Sequence, residues 1–573
     1  QQHATVAPHD SVGSNLYVHT RNGRVMRVVP RENEEINEVW LSDRDRFSYE
    51  GLYADDRLAS PMVKVDGNWR ETDWDSALQA AVEGLRGLVS QHGADQLGVL
   101  ASPNSTLEEF YLLQAIARGL GTANIDHRLR RVDFSDQDSA PLGPSLGQSL
   151  EDLERVDAAL VVGANPRKEQ PIAGHRLRKA AMAGASVMFV NPVDYEFHMP
   201  VHAKAIVMPS GMVHELAAIA ACFPDISARL PQAARSLVSD ASPDDNQRAM
   251  AKALKEAGNA TVLLGNTAAA HPQASLLRAL ATAIADAAGA VYGSLPAAAN
   301  SVGGWLAGVL PHRGPAGQAT SSAGLAAHSM CESPRRGYVL FGVEPEHDCW
   351  DSEAAIKAVD AADFVVSFGP WASETMMNSA DVLLPVGPFT ETSGTFVNLE
   401  GRWQGFAGVA RPYGDSRPGW KVLRVLGNLL ELDGFDYNSS EEVRDTLRRE
   451  IDSASFAPGS ASVAAAPATG AGELERVGDV PIHASDALAR RAASLQATPD
   501  AVAGNVARIC TQQAETSGVL GAGSIRVSQD GTSITVSLEI DERVPAGCIW
   551  LPAGTPAAAG LGPCLGAIRI ERA

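Results

Sequence analysis

The chain has 573 residues, too many for one hydrophobic core, and so is expected to form two to four domains. Its apolar share is 45% against 6% aromatic residues, so alanine supplies much of the apolar content. Forty-seven basic against 68 acidic residues leave a net charge of −21, which argues against nucleic-acid binding and against a polybasic grip on anionic lipid.

The opening Gln1-Gln2-His3, with no methionine, reads as the start of a processed or truncated piece, and no basic–apolar leader follows it. Asn15 to Val18 and Val25 to Val29, joined at Arg21-Asn22-Gly23, predict a β-hairpin, because Asn-Gly accepts the positive φ angles of a type I′ turn. From there to about residue 454, short apolar runs alternate with helical patterns. The expected strands are Leu97–Leu100, Ala158–Val162, Ser186–Val190, Thr261–Leu264, Tyr338–Phe341, Phe364–Ser367 and Val382–Leu384. The expected helices are Trp74–Leu88, Leu107–Leu120, Ile172–Ala183 and Pro272–Ala288. Such alternation predicts an α/β fold with parallel sheets buried on both faces. Residues 455–484 read as a flexible linker, since their Ala/Gly/Ser/Pro-rich start cannot offset chain entropy. Residues 485–573 read as a β-rich domain: Ile525 and Val527 alternate outward, Asp530-Gly531 turns the chain, and Ile534, Val536, Leu538 and Ile540 alternate on the return. No run of about 18 apolar residues occurs, so direct membrane insertion is not expected.

Generic site signatures are few. The six cysteines, at 222, 331, 349, 510, 548 and 564, show neither zinc nor iron–sulfur spacing and read as buried free thiols of a reducing compartment. Gly143-Pro144-Ser145-Leu146-Gly147 matches a nucleophile elbow in letters, but a polar segment precedes it and Pro144 sits inside it, so a loop is expected. Gly163-Ala164-Asn165-Pro166 ends a strand ahead of a basic helix (Arg176, Arg178, Lys179); a structural turn is the first reading and a phosphate site the second. His198 and His202 flank Pro200, which breaks a common helical face, and solvated histidines are expected there. There is no Walker loop, zinc-protease motif or calcium loop.

One stretch is specific. Asp381 to Gln404, DVLLPVGPFTETSGTFVNLEGRWQ, resembles a hallmark of the molybdopterin oxidoreductase superfamily. Asp56-Arg57-Leu58 with Pro61, Asp73-Trp74-Asp75-Ser76-Ala77-Leu78 and the 163–180 region are similar to further motifs of that family. Within it, residues 8–15, 23–52, 299–304 and 568–573 resemble the large iron–sulfur subunits of bacterial NADH:quinone oxidoreductase (complex I). The resemblance implies a multi-domain α/β fold with Rossmann-like parallel sheets and a C-terminal double-psi-type β-barrel. It also implies that residues 1–56 are the remnant of a 4Fe-4S domain, and 57–454 one or two discontinuous α/β domains.

The family holds a cubane through cysteines spaced C-x2-C-x3-C-x27-C. Those places fall on Ala7, Asp10, Ser14 and Ser42, none of which offers a thiolate. The family's molybdenum ligand falls on Val132, counted from Asn124-Ile125-Asp126-His127, with Asp133 one residue away. The expectation is therefore a chain with no catalytic residue, no metal ligand and no cofactor of its own. It would be the scaffold part of a larger protein whose 2Fe-2S and 4Fe-4S clusters precede residue 1. The implied partners are the other peripheral-arm subunits, the flavin subunit among them, on the cytoplasmic face of the bacterial inner membrane. Two other readings stand beside it: a molybdenum or tungsten enzyme of formate-dehydrogenase type, and a pterin- or nucleotide-binding regulatory module. Gly394 and Gly401 are expected in turns that need glycine, with Asn398 and Glu400 bonding loop backbone.

Overall fold

The computed structural model describes residues 1–459, 462–463 and 474–573. The chain divides into two compact units, each discontinuous in sequence. One comprises 1–130, 298–457 and 483–498, the other 131–297, 458–482 and 499–573.

The first unit opens with a three-stranded antiparallel sheet, Gln2–Val6, Asn15–Arg21 and Arg24–Pro30. The predicted hairpin is there, with Asn22 at φ 52° and Gly23 at φ 79° in its turn. A seven-stranded sheet follows, in spatial order Asn68–Glu71, Met62–Val65, Val382–Pro385, Phe364–Gly369, Gly337–Phe341, Leu97–Ala101 and Ile125–Asp126. The last five run parallel, while Met62–Val65 pairs antiparallel with both Val382–Pro385 and the edge strand Asn68–Glu71. Both faces are covered, which is why these strands read as continuous apolar runs. Val99, Val339, Phe341, Val366, Phe368 and Leu384 pack with the helices Trp74–His92, Leu107–Gly119 and Gly419–Leu429. The alternate residues Leu100, Leu340, Val365 and Leu383 pack on the other side with Met330, Ala358 and Met376.

The second unit holds a five-stranded parallel sheet, in order Ala203–Ile206, Ser186–Asn191, Ala158–Val162, Ala260–Leu264 and Val291–Ser294. It also holds a closed six-stranded barrel of Leu474–Val477, Cys548–Trp550, Val506–Ile509, Thr532–Ile540, Ser524–Gln529 and Leu565–Arg572. Its strand pairs are both parallel and antiparallel, and Ile509, Ile525, Val527, Ile549 and Ile568 fill its interior. The barrel meets the loops of the sheet through Asp479, whose carboxylate accepts from Tyr195 Oη at 3.0 Å and Trp550 Nε1 at 2.6 Å.

Two boundaries differ from the expectation. The linker read over 455–484 ends earlier, because Leu474–Val477 is a barrel strand; residues 460–461 and 464–473 of that linker lie outside the described residues. Residues 483–498, expected mostly in the barrel domain, pack in the first unit instead. Among the described residues, no helix is long and apolar enough to cross a membrane.

Candidate functional site

Residues 7–14 form the loop between the first two strands, closed by the bond from Ala7 N to Ser14 O at 2.9 Å. The four positions where the resemblance would put cluster ligands are all buried: Ala7 0%, Asp10 2%, Ser14 1% and Ser42 8% exposed. Ala7 joins the apolar cluster of Val6, Leu16, Val18 and Leu52. Ser42 caps the helix Asp43–Phe47, accepting from Asp45 N at 3.0 Å and donating to Asp45 Oδ2 at 2.7 Å. Asp10 accepts from Arg44 Nη2 at 2.5 Å and from Val12 N at 3.0 Å. Beside it, His9 Nδ1 lies 2.7 Å from Asp486 Oδ2, and His9 Nε2 lies 2.7 Å from Ser48 Oγ. Asp486 in turn caps Ala487–Arg490 by accepting from Leu488 N and Ala489 N.

Burial works on the two carboxylates in opposite balance. It outweighs Arg44 at Asp10 and raises that pKa above the usual range. At Asp486 burial is outweighed by His9 and by the Ala489 N–H, so the carboxyl is held well below its usual range. A four-iron cube needs thiolates, and the loop and helix supply an alanine, two serines and an ion-paired aspartate. The donor set does not fit the cluster.

Val132 and Asp133, where the resemblance would put the molybdenum ligand, lie in the second unit. Val132 is half-buried and offers no donor atom. Asp133 is committed elsewhere: Oδ2 accepts from Ser275 N at 2.7 Å and Ser275 Oγ at 2.5 Å, and Oδ1 accepts from Ser135 N at 3.0 Å. Burial opposes ionisation there, but these bonds win and lower the pKa. Asp133 thus satisfies the buried Ser275 amide in the first turn of helix Ala274–Ala288, where Gln273 gives no side-chain cap, and Asp136 clamps the same helix through Arg278 Nε at 2.5 Å. In the Asn124–His127 motif, Asp126 takes a two-pronged bond from Arg128, at 2.8 and 2.9 Å. His127 is wedged between Val309 O (2.8 Å) and Ser301 O (3.1 Å), and burial lowers its pKa to about 4.

The remaining sequence candidates separate cleanly. Ser145 sits in a loop whose carbonyl accepts from Ser294 N, with no strand before it or helix directly after it. Gly163 is a structural turn at φ 59°, where a Cβ would stand 2.5 Å from Ala268 N. Asn165 Oδ1 and Gln170 Oε1, buried near that strand end, have no hydrogen-bond partner among the described residues. His198 pairs with Glu196 at 3.2 Å and both are exposed; among the described residues, no group of three His, Cys, Asp or Glu is placed to hold a metal.

In the hallmark stretch, Gly401 stands in a turn at φ 82°, and Asn398 bonds loop backbone as expected, through Val12 O, Glu400 N and Arg402 N. One expectation is corrected. Gly394 starts the strand Gly394–Val397 and needs no positive φ; it is glycine because a Cβ would stand 2.4 Å from Thr106 Cγ2. The Glu400 carboxylate is engaged by side chains, Asn398 Nδ2 at 3.3 Å and Arg402 Nε at 2.8 Å.

Arg57 and Glu391, which stand in two separate motif stretches of the sequence, meet in the structure. Arg57 Nη2 donates to both Glu391 oxygens, at 3.1 and 3.0 Å, and both side chains are buried. A pair of this kind is costly to break by removing one partner, so the two motifs act as a staple between residues 334 apart in sequence. A second buried network, Glu344 with Arg490 (2.7 Å) and Arg491 (2.6 Å), had no sequence signal.

Residues 57–429 match the family Molybdopterin oxidoreductase, and residues 2–50 match NADH-ubiquinone oxidoreductase NDSU1/NuoG-like, 4Fe-4S domain. The G subunit of the NADH-quinone oxidoreductase of Rickettsia bellii is 26% identical over 454 residues, covering 78% of this chain and 57% of that protein. The F420-dependent formate dehydrogenase subunit alpha of Methanocaldococcus jannaschii is 24% identical over 504 residues, covering 78% of this chain and 73% of that protein. The chain thus spans less than two thirds of the length of the Rickettsia bellii relative. The acetylene hydratase of Pelobacter acetylenicus shares the fold, with a TM-score of 0.67 at 12% identity and all of both chains covered. With nearly two thirds of its residues in one family match and a NuoG-like 4Fe-4S domain ahead of them, the chain belongs to the molybdopterin oxidoreductase family.

Proposed function

We propose that this chain is a catalytically silent scaffold, part of a large iron–sulfur subunit of an NADH-quinone oxidoreductase. The observation that carries the reading is the donor set at the vestigial cluster places. Ala7, Ser14 and Ser42 offer no thiolate, and Asp10 is bound to Arg44. Val132 offers nothing to molybdenum, and the Asp133 carboxylate is already taken by Ser275 and Ser135. Fold is kept while the site's chemistry is lost. In this reading the 2Fe-2S and 4Fe-4S clusters belong to the part of the relatives' length that this chain does not span. The chain would support electron transfer from NADH toward quinone by docking other peripheral-arm subunits, the flavin subunit included, on the cytoplasmic face of the inner membrane.

The test is iron, molybdenum and tungsten per mole of purified chain, with a fluorescence assay for released pterin. All near zero is the expected result. Stoichiometric molybdenum or tungsten with pterin would overturn the scaffold and favour an enzyme of formate-dehydrogenase type, in line with the similarity to the Methanocaldococcus jannaschii protein.

One observation favours a second reading. The buried acceptors Asn165 Oδ1 and Gln170 Oε1, without a partner among the described residues and close in sequence to the turn at Gly163, suit a ligand with donor edges such as a pterin or guanine nucleotide. A difference spectrum or calorimetric titration with guanine nucleotides separates this regulatory module from the bare scaffold.

A further inference from the structure

We propose that a polar latch built on Arg44 and His9 has taken over the cross-linking work of the missing iron–sulfur cube. A cube does more than move electrons: its four thiolate bonds would tie the 7–14 loop to residue 42 and fix both. The same two segments are joined here by other means. Arg44 Nη2 bridges to Asp10 at 2.5 Å, and His9 Nε2 reaches Ser48 Oγ, just beyond the Asp43–Phe47 helix, at 2.7 Å. A third segment is drawn in, because His9 Nδ1 holds Asp486 at 2.7 Å and Arg44 Nη1 lies 3.5 Å from Ser485 Oγ. Three stretches separated by up to 477 residues thus converge on two side chains.

Burial is what gives the latch its strength. The Arg44 and Asp10 side chains are 2% and 3% exposed, so solvent screens neither charge, and removal of one leaves the other stranded in the interior. Arginine suits the place better than lysine would. Separate nitrogens of one planar guanidinium face Asp10 and Ser485, whereas an ammonium is a single point of charge on a flexible stem. The inference rests on the donor set alone and does not require the rest of the chain to be silent.

Amide hydrogen exchange and thermal melting of the full chain test it, using Arg44→Leu, Asp10→Leu and the double variant. Each single change is expected to speed exchange about tenfold or more in residues 7–14 and 486–490 before other parts of the unit, and to lower the melting temperature. The double variant is expected to sit closer to wild type than either single, because no charge is then stranded. Should Arg44→Leu fail to fold, Arg44→Lys and Ser485→Ala are expected to give the same local pattern at smaller amplitude. Unchanged exchange in those two segments, or single effects that simply add in the double, would overturn the latch. Metal analysis tests the scaffold independently. A metal-free chain without coupling would sink the latch alone, and a molybdenum-loaded chain with coupling would sink the scaffold alone.

Discussion

Glu344 carries a clear pH signature at the scale of single residues. Burial alone would raise its pKa, but Arg490 and Arg491 overcome that and hold the carboxyl at about 2, against 4.5 for a free glutamate. A depressed acid contributes stability in full above its unfolded pKa and loses it as pH falls toward the folded value. The window is therefore pH 4.5 down to about 2. At ~1.4 kcal/mol per unit the contribution above that window is about 3 kcal/mol. The advantage of wild type over Glu344→Gln, read from urea midpoints, should be larger at about pH 6 than at about pH 3. An equal gap at both would mean that Glu344 is not ion-paired as described.

The helix Leu107–Gly119 shows how an element can dictate a residue far away in sequence. Thr106 and Glu109 form a reciprocal capping box, with Thr106 Oγ1 accepting from Glu109 N at 3.3 Å and Glu109 Oε2 accepting from Thr106 N at 2.8 Å. A β-branched side chain held by its own cap has little freedom to move. Strand Gly394–Val397 runs against that cap, and Thr395 N bonds the neighbouring Glu108 carboxylate at 2.8 Å. Gly394→Ala is therefore expected to destabilise by about 1–3 kcal/mol through overpacking, with a further ~1 kcal/mol if the cap is given up. Gly401→Ala meets no atom within 4 Å and suffers only its positive φ, a strain of about 1–2 kcal/mol. Denaturation curves of the two variants should rank Gly394→Ala as the more harmful; the reverse order would show that the cap yields freely.

On the scale of the whole molecule, the path of the chain matters more than any one contact. The first unit takes its last segment, 483–498, from beyond the start of the barrel, while the second takes 458–482 and 499–573 around it. A chain stopped at residue 482 therefore removes Asp486 from His9 and Arg490 and Arg491 from Glu344, as well as five of the six barrel strands. We expect such a truncation to weaken amide protection at Gln2–Val6 and Asn15–Arg21, and not only in the remaining strand Leu474–Val477. Protection in the N-terminal sheet equal to that of the full chain would show that the 483–498 segment is dispensable there.

How much was legible in advance follows from the range of the forces involved. Strand Ala158–Val162 and the turn at Asn22-Gly23 could be read directly, and helix Leu107–Gly119 to within a residue, because periodicity, glycine and capping chemistry act over a few neighbours. Helix Trp74–His92 ran one turn past its expected end, and strand Leu474–Val477 was hidden behind a linker-like composition. The family resemblance also implies that the redox-centre ligands would fall on Ala7, Asp10, Ser14, Ser42 and Val132, and the sequence by itself shows that none of these is a cysteine. Only the tertiary structure decided what those places became. Asp10 found Arg44, Ser42 became a helix cap, Asp133 turned to Ser275, and His9 met Asp486 across 477 residues. Local preferences are written in adjacent residues, whereas a buried charge selects its partner by where folding brings the chain together.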